Sequence, residues 1–217
     1  LTVARLNLLN AQVEPHFLYN TLASAQVLTR TDPPRADVML GHLIQYLRSS
    51  LPRTDDSLST LGEELERTLA YLEILKIRMG SRLSLQIEVP EALKSVPMPS
   101  MMLQTLVENA IKYSPPTAPI SVWGRMEDNC AVLSVSDRGI GIPVEDRERL
   151  FEPYYRARNS RNVPGAGIGL YVVQRYVASH EGTINVESDL GVGTTVTIRI
   201  PNNAGHWSDL GVTHPVH

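Results

Sequence analysis

At 217 residues, with 42% hydrophobic and 20% charged content, the chain has enough apolar material for a small element followed by a domain of ordinary size. Its net charge of −3 gives no basic footprint for nucleic acid or an anionic surface, so DNA and RNA are excluded as expected partners. The one cysteine, Cys130, can neither close an internal disulfide nor found a thiolate metal cluster; it reads as a buried strand residue in a reducing compartment, and no run of about 18 apolar residues is present to span a membrane.

The chain opens at Leu1 already in helical periodicity, which suggests a piece of something longer with any input or membrane region upstream. Val3, Leu6, Leu9, Val13 and Phe17 form an amphipathic stripe, and Pro15 predicts either a kink just before His16 or a helix restarting there. After the breaker Asp32-Pro33-Pro34, a second stripe runs through Leu40, Leu43, Ile44, Leu47 and Leu51. Two such helices make an antiparallel hairpin, and a lone hairpin cannot bury both its faces. Pairing with a second copy into a four-helix bundle is expected, giving a homodimer through residues 1–52.

A polar joint, Pro52 to Leu58, marks the expected boundary of a second domain over residues 53–201. Thr60-Leu61-Gly62-Glu63 reads as a capping box opening a helix that ends at Gly80. Leu83, Leu85, Ile87 and Val89 alternate as a strand, and Ser100 is the expected cap of the next helix, Met101 to Tyr113. Two further strands meet at a turn over Glu127-Asp128-Asn129, and a helix from about Gly167 to Ser179 precedes strands around Ile184–Val186 and Val196–Ile200. The predicted fold is α+β: a helical hairpin, then a sandwich whose mixed, largely antiparallel sheet is covered by helices on one face. Residues 202–217 read as a mobile tail.

Three stretches carry candidate chemistry. Thr105, Glu108, Asn109 and Lys112 share a helix face; an asparagine carbonyl can complete the oxygen shell of Mg²⁺, and Lys112 can meet a phosphate. Asp137-Arg138-Gly139-Ile140-Gly141 follows a strand, where a carboxylate can accept from an exocyclic amine such as that of adenine and glycines permit close approach of the ring. Gly165-Ala166-Gly167-Ile168-Gly169-Leu170 opens a helix, whose free N–H groups suit phosphate oxygens. The polar residues before it do not make a Rossmann turn, and no GxxxxGK[ST] exists. Between the glycine motifs, Phe151-Glu152-Pro153-Tyr154-Tyr155 and Arg156 to Arg161 read as a lid that orders over phosphates.

In this order the motifs resemble those of the sensor histidine kinases. Glu108 to Lys112 is similar to the N box, Asp137 to Gly141 to the G1 box, Phe151 to Tyr155 to the F box and Gly165 to Gly169 to the G2 box. The N-terminal half resembles the LytS-type branch, whose Pro-His-Phe-Leu-Phe/Tyr-Asn motif is matched by Pro15 to Asn20, with further likeness over Tyr71–Ile74 and Arg78–Leu83. The resemblance implies His16 as phosphoacceptor, Asn109 on Mg²⁺, Asp137 on adenine, and ATP held by Glu108, Asn109, Lys112, Tyr113, Asp137, Gly139, Gly141, Tyr155, Arg156, Gly165, Gly167, Ile168, Gly169 and Leu170. Many members place an acidic residue after the histidine; here Phe17 stands there and Glu14 is the general-base candidate. The resemblance also implies a homodimer, a response-regulator receiver domain as partner, and a cytoplasmic place below an upstream membrane anchor. A GHKL-type ATPase, or a nucleotide-binding scaffold without phosphotransfer, is the alternative.

Overall fold

The structure, a computed structural model, describes residues 15–50, 59–80, 83–98 and 100–202. The stripe before Pro15, Glu14, the joint at 51–58 and the tail beyond 202 therefore lie outside the described residues. Helix α1, Pro15–Thr31, begins in the description at the proline, a residue suited to a first turn. Asp32 alone links it to α2, Pro33–Ser50, so the two helices fold back on one another. The hairpin does not stand clear of the rest of the chain. It packs against α3, Leu61–Met79, with Phe17, Tyr46 and Tyr71 in a three-ring cluster whose centroids lie 4.8–6.1 Å apart.

The expected capping box is present: the Glu63 N–H donates to Thr60 Oγ1 at 3.2 Å, and Glu63 Oε2 accepts the Thr60 N–H at 3.2 Å. A two-residue strand β1, Ser59–Thr60, pairs antiparallel with β3, Pro97–Met98, an addition that no periodicity announced. Helix α4, Met102–Tyr113, departs from expectation at its head. Ser100 does not cap it; Met101 stands in the N-cap position with φ 69° and no side-chain bond. Instead Oε1 of Glu64, from α3, accepts the Met101 N–H at 3.0 Å. The carboxylate serves the open N–H groups of α4 from a different element.

The main sheet holds β2, Ser84–Glu88; β4, Pro119–Glu127; β5, Cys130–Asp137; β6, Thr183–Asp189; and β7, Gly193–Pro201, in the order β2-β4-β5-β7-β6. Among the described residues of this sheet only the β2–β4 pair is parallel. Asp128 and Asn129, with φ of 48° and 58°, make the tight turn that joins β4 to β5. Alternation puts Ile120, Val122, Ala131, Leu133, Val135, Ile198 and Ile200 in the core beneath α4 and α6, Gly169–Ser179, which begins two residues later than expected. The other face is polar, with hydroxyl pairs Ser134–Thr197 and Ser136–Thr195 at 2.7 and 2.9 Å. Cys130, expected buried, is half-buried at the start of β5.

Candidate nucleotide-binding site

The ends of α4, β5 and α6 meet around a cavity of about 240 Å³. Of the residues singled out in the sequence, Asn109, Lys112, Tyr113, Asp137, Gly141, Tyr155, Arg156, Gly167, Ile168, Gly169 and Leu170 line it. Three others are not in the lining. Gly139 anchors Asp137 through its N–H, Glu108 accepts from Gln104, and Gly165 is so close to Lys112 that a β-carbon there would lie 2.2 Å from Nζ.

Asp137 ends β5 with its carboxylate fixed. Oδ1 accepts the Gly139 N–H at 2.7 Å and the Thr194 N–H at 3.2 Å, the latter from the residue opposite it in the β5–β7 register; Oδ2 takes neither bond. Burial raises the Asp137 pKa, against the pull of these two N–H groups. Around it Leu106, Ala110, Ile140, Ile142, Leu150 and Val186 supply apolar walls. A flat heterocycle with an exocyclic amine suits this end: walls for the rings and one oriented acceptor for the amine.

The loop after Asp137 is held by backbone. The Ile140 N–H donates to Tyr113 O at 3.0 Å, the Gly191 N–H to Ile140 O at 2.9 Å, and Asn159 Nδ2 to Gly141 O at 2.8 Å. Gly141 has φ 63°, and a β-carbon on it would meet Asp189 O at 2.0 Å, so no other residue fits there.

At the other end lie cationic and donor groups. Asn109 and Lys112 come from α4, and the glycine loop presses against them: a β-carbon on Gly169 would approach Thr105 Cγ2 at 3.0 Å and Asn109 Nδ2 at 3.6 Å. Helix α6 has no side-chain cap, which leaves its first N–H groups to an anion. Among the described residues no group of three or more His, Cys, Asp or Glu could hold a metal ion. A divalent ion here would take few protein oxygens, with Asn109 the fitting donor and phosphate oxygens and water completing the shell.

The segment read from the sequence as a lid hangs on a residue that sequence reasoning passed over. Asp146, fully buried in a short helix α5, Val144–Arg147, accepts the Tyr155 hydroxyl at 2.8 Å and the Arg158 N–H and Nε–H at 2.8 and 3.1 Å. The Arg158 backbone N–H, above all, lowers the Asp146 pKa. Arg156 turns into the loop, donating to Ser160 O and Val163 O. The sequence signal for Asp146 was slight, since Glu145-Asp146-Arg147-Glu148 reads as any solvated run.

His16 stands on the exposed first turn of α1, outside the cavity lining. Asn20 Nδ2 lies 2.9 Å from Nε2 and 3.2 Å from Nδ1. An atom that near both ring nitrogens cannot share the ring plane without striking the ring carbons, so the amide lies over the face. Neither ring nitrogen is met edge-on by this amide.

The sequence model of the family described as "Histidine kinase-, DNA gyrase B-, and HSP90-like ATPase" matches residues 97–204, and that of "Histidine kinase" matches residues 4–83. The mycobacterial sensor histidine kinase MprB is 30% identical, with a TM-score of 0.52 over 64% of this chain and 93% of that one. The chain belongs to the sensor histidine kinases. Among curated members of the family, BtsS of Escherichia coli strain K12 is 32% identical over 216 residues, 96% of this chain and 34% of BtsS. LytS of Bacillus cereus is 29% identical over 214 residues, 95% of this chain and 36% of LytS. The chain thus spans about a third of the length of these relatives. As in the sequence reading, its histidine kinase fold is α+β with a mixed, mostly antiparallel five-stranded sheet, and its ATPase-type domain implies ATP binding. Among the described residues no helix is long and apolar enough to cross a membrane.

Proposed function

We propose that this chain is the autophosphorylating core of a two-component sensor, catalysing ATP + His16 → ADP + phospho-His16 and then passing the phosphoryl group to an aspartate of a receiver domain. The observation that carries the reading is one cavity with an oriented carboxylate at its apolar end and Lys112, Asn109 and the open head of α6 at the other, on a chain that also exposes His16. Asp137 orients the adenine amine; Lys112 and the α6 N–H groups take the phosphates; Tyr155 and the lid held by Asp146 exclude water. Asn109 would hold Mg²⁺, which when bound neutralises charge on the phosphate oxygens.

In the reaction a lone pair on the His16 ring forms the N–P bond as the bond from the γ-phosphorus to the β–γ bridging oxygen breaks. ADP carries away that electron pair. The ring proton leaves to solvent or to Glu14, whose position lies outside the described residues. Neutral imidazole is available near pH 7, the ordinary pKa being about 6.5. Phosphoryl transfer asks chiefly for positioning and charge neutralisation, which this site is equipped to supply.

The working unit is a homodimer through the hairpin. Leu22, Val27, Val38 and Ile44 leave large apolar side chains exposed on α1 and α2, as a second copy would require. A membrane-anchoring sensory region upstream and a cytoplasmic place for this portion complete the proposal. Incubation with γ-labelled ATP and Mg²⁺ tests it. Acid-labile, alkali-stable label that a receiver domain can remove is expected; acid-stable label, or hydrolysis without label, contradicts it.

A further inference from the structure

The segment between the two glycine motifs is tied to itself before it is tied to anything else. Arg156 donates to Ser160 O and Val163 O, and the Ser160 N–H and hydroxyl both return to Ala157 O, at 2.9 and 2.8 Å. Bonds closed within so short a stretch let residues 156–163 open and close as one body. Among the described residues two side chains fasten this knot to the domain beneath it, and they are unequal. Asp146 is fully buried and accepts three bonds, one from the Tyr155 hydroxyl and two from Arg158. Asn159 is exposed and makes one: its Nδ2 donates to Gly141 O at 2.8 Å.

Gly141 O is a firm place to land. Its loop is held by the Ile140 N–H on Tyr113 O, the Gly191 N–H on Ile140 O and the Ile142 N–H on Ser188 Oγ, at 2.9–3.0 Å, and it presses against Asp189 so closely that a β-carbon on Gly141 has no room. Ile140 and Ile142, on either side of Gly141, line the cavity at the end where Asp137 stands, and Asn159 lines it too. An exposed lid residue is thus bonded to the rim of the end that suits the base. One bond in contact with water opens at less cost than three on a buried carboxylate.

We propose that Asn159 is the clasp of the lid and sets how long an adenine nucleotide stays bound. The knot swings on Asp146 as its pivot, and the Asn159–Gly141 bond is the free catch that must part before the base can leave. Asn159 is a positioning residue, since it holds the lid and not the nucleotide. Because the catch closes over the base, it retains diphosphate and triphosphate alike; telling the two apart is left to Lys112 and the head of α6. The inference rests on the reading of the cavity as the ATP site and is independent of which residue accepts the phosphoryl group.

The test compares the full chain with Asn159→Ala and Asn159→Asp. Dissociation of ADP and of a non-hydrolysable ATP analogue, each carrying a fluorescent group on the ribose, is followed by stopped flow; affinities of the unlabelled nucleotides come from calorimetry. In Asn159→Ala both nucleotides are expected to leave about fivefold faster, the worth of one hydrogen bond, with association within about twofold of the parent. Asn159→Asp keeps the shape but turns an acceptor toward Gly141 O, so release at least as fast as in Asn159→Ala is expected, whereas a residue that only filled space would behave as the parent does. Unchanged dissociation in both variants overturns the clasp and leaves the nucleotide reading standing. Faster release of the triphosphate alone also overturns it, because the catch would then act on the phosphates. Failure of the parent chain to bind either nucleotide removes the ATP site, and the clasp with it.

Discussion

Asp137 meets two opposing demands. Its carboxylate is raised in pKa by burial, so the folded chain holds the proton more tightly than the unfolded chain does. Stability from this group is fully present below the unfolded value of about 3.9 and is lost as pH rises through the raised folded value. At pH 7 the ionised group therefore costs stability in the empty protein, a cost that the proposed recognition of the adenine amine would account for. Asp137→Asn is expected to keep or raise the melting temperature without nucleotide. The same change should weaken ADP binding about 10- to 100-fold, because the amide Nδ2 would face the adenine amine donor to donor. A calorimetric titration and a melting curve at pH 7 check both; unchanged affinity contradicts the role given to Asp137. This carboxylate was legible because its chemistry is consecutive, with Asp137, Gly139 and Gly141 in one loop. Thr194, its other N–H donor, was not, since only the β5–β7 register brings it opposite.

Among the elements, the lid and the head of α4 share a design in which a buried carboxylate from one segment organises another. Asp146 has its pKa lowered chiefly by the Arg158 N–H, so its stabilising contribution is present above the ordinary carboxylate range and is lost as pH falls through its depressed value. The lid should consequently stay in place at pH 5. Asp146→Ala leaves the Tyr155 hydroxyl and the Arg158 N–H without their acceptor, and is expected to weaken nucleotide binding about tenfold. It should also speed tryptic cleavage at Arg158 and Arg161 in the empty protein; parental cleavage and affinity would count against the lid assignment. The longer helices and the strands of the main sheet were readable from periodicity, and Thr60–Glu63 from local capping chemistry. The start of α4 was not, because Glu64, which serves it, lies 37 residues before Met101. A capping partner so far away leaves no local pattern, and Ser100 was the locally reasonable choice.

For the whole molecule, the hairpin has two apolar obligations. One is met within the chain, where Phe17, Met39, Leu43 and Tyr46 are buried in the core shared with α3. The other, at the exposed Leu22, Val27, Val38 and Ile44, is the one that the proposed dimer would cover. Ile44→Asp, which is 52% exposed in one chain, is expected to shift the mass in light scattering from dimer toward monomer with the melting temperature of the nucleotide-binding part preserved. The amphipathic stripes revealed that the hairpin needed a partner surface, but could not apportion it between α3 and another chain. The measurement that bears most directly on the central claim is the site of the phosphoryl group itself. After reaction with γ-labelled ATP and Mg²⁺, peptides recovered at alkaline pH are mapped by mass spectrometry for the parent, His16→Ala and Asn109→Ala. Phosphate is expected on His16 in the parent alone, with ADP binding retained in His16→Ala and Mg-dependent ATP binding reduced in Asn109→Ala. Phosphate on any other residue, or undiminished label in His16→Ala, would contradict that claim.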